Sequence, residues 1–387
     1  MIKKKICVVV ASRANYGRVK SVLSAIKASK KLELQLVVSA SALLERYGNV
    51  SKIIKKDGFK IKKQAYHLIE GENLLTQSKS TGLGIIELSS IFQELKPDTI
   101  LSVADRFETI ATAIASTYLN IPLAHIQGGE ISGNIDDKVR HAITKMADIH
   151  FPSTIKSAKR LEKMGERNKT ILHVGCPGMD HIKGIDCSDI SELKKYKGLG
   201  GIMDWSKPYI LMIQHPITTS FGEGYEQIGQ TLNAMRHFSN THQIVVMWPN
   251  ADAGSEDVAK GIRVFREKKY SENFHFFKNF SPEDFIKVLA NAQCAVGNSS
   301  SFIREGEFLD VPAVLIGDRQ LDREIYSNCI ISDYKTSNIV SKIKNRLRFK
   351  TKSKVKRNSA YGQGNAGIRI AKVLESVKLD KIKRLNL

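Results

Sequence analysis

The sequence predicts an α/β chain of two doubly wound lobes, and three observations predict it. Short β-branched runs recur at Ile6–Val10, Leu34–Val38, Thr99–Val103, Ile121–His125 and Ile171–Val174, with helical periodicity between them. That is the spacing of βαβ units on a parallel sheet. A second series follows at Tyr209–Gln214, Gln243–Trp248, Phe274–Phe277, Cys294–Gly297 and Val311–Ile316. At 387 residues the chain also exceeds one compact domain on the expectation of roughly 100 to 200 residues each. The polar stretch near Asp186–Lys207 separates the two series as a linker.

Composition excludes several classes. With 42% hydrophobic and 26% charged residues, 27 Gly and 9 Pro, the chain is neither disordered, collagenous nor a coiled coil. The basic start is followed by only a short apolar run before Arg13, with no small-residue cleavage site, so no signal peptide is expected and the product should stay in the cytoplasm. The stretch Thr109–Gly129 lacks Asp, Glu, Lys and Arg, but Asn120, Pro122, His125 and Gln127 interrupt it; a buried helix and a buried strand fit better than a membrane span. Cys7, Cys176, Cys187, Cys294 and Cys329 are widely spaced, without CxxC or a Cys/His ligand cluster, and read as reduced core thiols with no metal site.

The formal charge of +21 raises a nucleic-acid or membrane-surface reading. Residues 1–63 carry 16 basic and 3 acidic side chains and residues 341–387 carry 15 and 2, so the excess sits at the two ends and the middle is net acidic. The tail KIKNRLRFKTKSKVKR alternates basic and apolar residues without a recognised motif, and solvated faces explain it.

Ligands of such folds bind outside the carboxyl ends of the strands, in a crevice that two lobes place between them, so strand ends are where chemistry is sought. The first strand runs into ASRANYGR, which lacks GxGxxG and GxxxxGK[ST]; Arg13 is equally a phosphate ligand and a turn residue there. SVADRF sets Asp105 just past a strand, where a helix N-cap or a pairing with Arg106 is the simpler reading of that segment alone. IPLAHIQGGEISGNIDDKVRHAI concentrates His125, Gln127, Glu130, Asp136, Asp137, Arg140 and His141 around Gly128 and Gly129, which would let the backbone approach a ligand. Three acids there divide acid and base roles more naturally than they serve as caps.

In the second lobe, MIQHPITT puts His215 at a strand end, and WPNADAGS ends another with Asn250, Asp252 and Gly254. VGNSSSFIREGEF is the strongest anion signal: Asn298, Ser299, Ser300 and Ser301 are expected to open a helix and converge hydroxyls and N–H groups on a negative group, with Glu305 reaching ribose hydroxyls. IGDRQLDRE adds Gly317, Arg319 and Arg323 near a phosphate.

Together, LSVADRFE, HIQGGEISGNIDDKVRHAITK, QHPITT, WPNADAGS, VGNSSSFIRE and IGDRQ, in this order, resemble the hydrolysing UDP-N-acetylglucosamine 2-epimerases of sialic-acid-type sugar synthesis. The resemblance implies the glycosyltransferase-B fold: residues 1–185 as an N-terminal Rossmann-like lobe with catalytic acids, 186–357 as a nucleotide-binding lobe, and 358–387 as a helix packing back on the first lobe. It implies elimination of UDP across C1 and C2 to a 2-acetamidoglucal, then hydration to N-acetylmannosamine, with no nicotinamide, metal or other cofactor. By resemblance Asp105, Asp136, Asp137 and His215 are catalytic, Ser299, Ser300 and Glu305 bind nucleotide, Arg13 lies near the phosphates, and a homodimer or homotetramer is expected. Where a family member has Glu, this chain has Gln127, which is no base; Glu130 replaces it, Gln127 orients substrate, or the sugar differs. Related enzymes act on UDP- or GDP-2,4-diacetamido-2,4,6-trideoxyglucose for legionaminic acid synthesis. The rival readings are a glycosyltransferase of the same fold, which leaves the IDD acids idle, and a basic RNA- or membrane-surface-binding protein, which has only the termini in support.

Overall fold

The structure is a computed structural model, which describes residues 2–45, 49–70, 74–103, 106–132, 136–217, 222–249, 254–268, 273–348, 359–378 and 383. The chain forms two compact units, Met1–Lys183 with Ala360–Leu387, and Gly184–Ser359.

In the first unit the elements run β1 (Lys4–Val10), α1 (Arg13–Ala28), β2 (Leu32–Ser39), α2 (Val50–Lys56), β3 (Ile61–Ala65), α3 (Leu74–Leu95), β4 (Thr99–Val103), α4 (Phe107–Tyr118), β5 (Leu123–Ile126), α5 (Asp136–Met146), β6 (Ile149–Phe151), α6 (Ile155–Lys163) and α7 (Pro177–Lys183). The strands make one parallel sheet in the order β3-β2-β1-β4-β5-β6. Helices on both faces bury the central strands, so they read as apolar runs in place of an alternation. The uncharged stretch after Thr109 forms most of α4, followed by β5. Strand β3 had no apolar signature, because it is the sheet edge. Its Lys62 and Lys63 pair with Glu33 and Glu94 at 3.7 and 2.6 Å and blunt that edge.

The expected strand Ile171–Val174 is a correction: only an isolated bridge between Ile171 and His150 forms. The carbonyls of His173 and Val174 are taken up by the Arg369 guanidinium, at 2.8 and 3.1 Å, and so are lost to the ladder.

In the second unit follow β7 (Leu199–Gly200), β8 (Tyr209–Ile213), α8 (Gly224–Arg236), β9 (Gln243–Met247), α9 (Ser255–Arg266), β10 (Phe274–Phe277), α10 (Pro282–Asn291), β11 (Cys294–Gly297), α11 (Glu305–Phe308), β12 (Ala313–Ile316), β13 (Cys329–Ser332) and α12 (Thr336–Leu347). The order β13-β12-β11-β8-β9-β10-β7 repeats the first sheet's winding from β8 onward, with β7 added antiparallel at the edge. Each sheet therefore reverses direction once, at β1/β4 and at β8/β11, the switch point where doubly wound folds bind ligands.

The last helix, α13 (Ala366–Ser376), belongs to the first unit and packs on α1. The Asp180 carboxylate accepts its first free N–H groups, from Ala366 at 2.9 Å and Gly367 at 2.6 Å, while Lys4 Nζ donates to the carbonyls of Leu374 and Val377 at its other end. Gly367 permits the approach: a β-carbon there would lie 2.7 Å from the Ser21 backbone.

Candidate active site

At the carboxyl end of β1, Ser12 caps α1 by accepting the Asn15 N–H at 3.2 Å, and half-buried Arg13 is the helix's first residue. Asn15 is a residue that sequence reasoning missed. Its amide oxygen accepts the Ala11 N–H and its amide nitrogen donates to the Val103 carbonyl, at 3.3 and 3.4 Å, tying the ends of β1 and β4 together. Asp105 follows β4 but lies outside the described residues, as does Asn250.

The end of β5 is the densest part of the site. Gln127 is 1% exposed and takes a left-handed backbone, φ 67°, an unfavourable conformation for a side-chain-bearing residue that surrounding structure must impose. Arg18 Nη1 donates to its amide oxygen at 3.3 Å, and its amide nitrogen donates to the Cys176 sulfur at 3.3 Å. No local pattern marks Arg18 or Cys176. The glycine pair serves packing: a β-carbon at Gly128 would sit 3.0 Å from His125 Nδ1, and at Gly129, φ 77°, it would collide with the Ser157 carbonyl and lie 2.9 Å from Leu161 Cγ. Helix α6 thus fills the space a side chain would need at Gly129, and His125 with Thr144 crowds that at Gly128, so both glycines have a packing role beside the expected approach to a ligand.

Asp136 and Asp137 form the first turn of α5, where the helix dipole favours negative charge. The Asp137 carboxylate accepts the Ser132 N–H at 2.9 and 3.0 Å and the Ser132 hydroxyl at 2.7 Å, and Arg140 Nη1 bonds it as well. Arg140, 1% exposed, also donates to the main-chain carbonyl of Glu130 at 2.8 Å, so one buried guanidinium ties the backbone at Glu130 to the Asp137 carboxylate. Glu130 is itself buried. Next in the helix, burial holds the His141 imidazole below its ordinary pKa, against the pull of Asp137 and with the help of Arg140 and Arg160, so it stays neutral at neutral pH.

In the second unit, His215 follows β8 and is 7% exposed. Its N–H donates to Asn298 Oδ1 at 2.7 Å and its carbonyl accepts from Asn298 Nδ2 at 2.8 Å. The Asn298 amide, expected to contact substrate, is thus turned to the backbone and locks the end of β11 to the end of β8. Arg319 Nη1 and Gln320 Nε2 donate to the Asn298 carbonyl at 3.2 and 2.9 Å.

The serine segment is a second correction. No long helix opens there: Ser300–Phe302 is one 3₁₀ turn and α11 is a single turn beginning at half-buried Glu305. Such short pieces align few peptide dipoles, and the Ser299 and Ser301 hydroxyls bond each other at 2.8 Å. The segment offers hydroxyls and a tight turn without a strong axial dipole. Gly317, φ 73°, is required by Tyr334, whose hydroxyl stands where a β-carbon would be.

The sequence matches a family model described as UDP-N-acetylglucosamine 2-epimerase over residues 24–375. A UDP-N,N'-diacetylbacillosamine 2-epimerase (hydrolyzing) of Legionella pneumophila is 31% identical over 97% of both chains. A UDP-N-acetylglucosamine 2-epimerase of Neisseria meningitidis is 30% identical over 88% of this chain and 86% of that protein. The polysialic acid biosynthesis protein P7 of Escherichia coli is 32% identical over 83% and 80%. Among solved structures, the UDP-GlcNAc 2-epimerase of Neisseria meningitidis bound to UDP-GlcNAc superposes with a TM-score of 0.80 at 16% identity, covering 96% of this chain and 99% of that one. That of Methanocaldococcus jannaschii, in complex with UDP-GlcNAc and UDP, gives 0.78 at 15% identity over 96% and 99%. These likenesses show the two-lobed fold.

Proposed function

Because the chain belongs to the UDP-N-acetylglucosamine 2-epimerase family, we propose that it is a cytoplasmic, hydrolysing 2-epimerase that converts UDP-N-acetylglucosamine to N-acetylmannosamine and UDP for sialic-acid-type sugar synthesis. A base takes the C2 proton while the C1–oxygen bond to the diphosphate breaks, leaving a 2-acetamidoglucal and UDP. Water then adds, its oxygen to C1 and a proton to C2 from the opposite face, which inverts C2. The diphosphate is already a good leaving group, so the protein needs a base, an acid and partners for the departing anion.

The observation that carries this reading is the acidic first turn of α5, Asp136 and Asp137, where the buried Arg140 guanidinium bonds the Asp137 carboxylate and the main-chain carbonyl of Glu130. Asp137, taken up by Ser132 and Arg140, is suited to holding geometry. That leaves Asp136 and Asp105 for proton transfer at C2, with Glu130 as the remaining acid. His215 is a further catalytic candidate, and Arg13, Arg319, Ser299, Ser300, Ser301 and Glu305 are assigned to the diphosphate and nucleoside. Gln127, held by Arg18 and Cys176, orients the sugar.

A second reading, the same chemistry on a UDP-2,4-diacetamido-2,4,6-trideoxy sugar, is favoured by the full-length match to the Legionella diacetylbacillosamine enzyme. Proton NMR in deuterated water with both substrates tests the two together. UDP and a C2-inverted free sugar carrying deuterium at C2 are expected, and the faster substrate identifies the pathway. Free sugar of unchanged configuration, or no turnover without an acceptor, would move the assignment to a glycosyltransferase.

A further inference from the structure

Helix α5 carries Asp136 and Asp137 at its N-terminus, and its other end is held by a residue from the far end of the chain. Lys383 Nζ donates to the carbonyls of Thr144 and Ala147 at 2.8 and 2.6 Å, where the last turn of α5 leaves acceptors and the helix dipole is negative. The same ammonium lies 2.7 Å from Glu166 Oε2. Glu166 is 1% exposed and is also bonded by His150 Nε2 at 2.9 Å and Lys145 Nζ at 3.1 Å. His150 sits on β6, and Lys145 is part of α5 itself. One buried carboxylate therefore gathers a cation from α5, an imidazole from the neighbouring strand and a cation from the C-terminal tail.

We propose that Lys383 is a positioning residue for the reaction: it clamps the C-terminal end of α5 through Thr144, Ala147 and Glu166, and so fixes where Asp136 and Asp137 stand. A rigid helix of three turns transmits a displacement of one end to the other, and a shift of about 1 Å in a catalytic group can cost roughly 100-fold in rate. The inference rests on the functional reading above, but the clamp itself can be read without substrate.

The test compares the full-length protein with Lys383→Met and Lys383→Arg. Backbone hydrogen exchange is followed by mass spectrometry, and steady-state turnover of both UDP-sugars is measured. In Lys383→Met, amides of residues 140–147 should exchange at least roughly tenfold faster while those of α8–α10 stay unchanged. For the substrate that wild type turns over, kcat should fall roughly tenfold with KM within about twofold. Lys383→Arg, which keeps a cation and donors, should recover most of both. Wild-type exchange over 140–147 and wild-type kcat in Lys383→Met would overturn the clamp, as would a loss of kcat that tracks the unfolded fraction or is not recovered by arginine. If wild type turns over neither sugar, the functional reading fails and with it the catalytic part of the proposal, while the exchange data still decide whether Lys383 holds the helix.

Discussion

Removing Asp137 is expected to destabilise the first unit more than removing the arginine it pairs with, and the asymmetry follows from burial. Arg140 is 1% exposed, whereas the Asp137 side chain is 18% exposed. In Asp137→Ala the guanidinium loses its carboxylate in a dry environment, a loss of about 3–5 kcal/mol for breaking a buried pair from one side. In Arg140→Met the buried charge leaves with the substitution, and Asp137 keeps both Ser132 donors, at 2.9 and 2.7 Å. The cost there is about 1–2 kcal/mol. The double variant should resemble Arg140→Met, a coupling of about 3–5 kcal/mol, the whole of the Asp137→Ala loss. At about 2–4 °C per kcal/mol for a unit of this size, Asp137→Ala should lower the melting temperature by about 10 °C and Arg140→Met by about 4 °C. Differential scanning calorimetry of the wild type, both single variants and the double variant reads all of this. Equal losses in the two singles that add in the double would refute the reasoning, since they would mean that Arg140 is adequately solvated without its partner.

Other consequences can be checked with the same material. Asp105→Asn should lower kcat by about 10²–10⁴-fold with KM nearly unchanged; wild-type kcat in that variant would remove Asp105 from the proton-transfer pair. Burial pushes the Glu166 carboxyl up, but hydrogen bonds from His150 and Lys383 outweigh it and bring it to about 2. Because the folded value is depressed, this stabilisation is complete above the unfolded carboxyl's pKa and is lost as pH falls from there towards about 2. Glu166→Gln should therefore flatten acid unfolding in that window, as followed by circular dichroism, and an unchanged acid limb would count against the buried network. Gly129→Ala puts a β-carbon against the Ser157 carbonyl at a φ of 77° and should cost about 2 kcal/mol or more by urea denaturation. A neutral result would mean that α6 yields easily. Gln127→Glu should fold normally, with Arg18 supplying the countercharge, and change kcat less than about tenfold; a hundredfold rise would show that a base had been missing.

The doubly wound architecture was legible because parallel strands buried on both faces are runs of Val, Ile and Leu, as in β1, β4 and β8. The strands that escaped notice lie at or next to an edge, short or broken by lysine: β3, β6, β7 and β13. The acid cluster was legible for a related reason, since residues following a strand's carboxyl end reach the ligand side of such a sheet wherever the strand sits.

What the residues alone determined, then, was the alternation of strand and helix and the chemistry available at strand ends, because both depend on near neighbours in the chain. Only the tertiary structure decided what each polar group does with its hydrogen-bonding capacity. Asn298 and His215 are 83 positions apart in the chain, and Gln127 and Cys176 are 49 apart. Lys383 and Thr144 are 239 apart. No pattern of local spacing encodes such pairs. They form because burial leaves a polar group no water to bond, so each must find a partner that the packing of distant segments happens to supply.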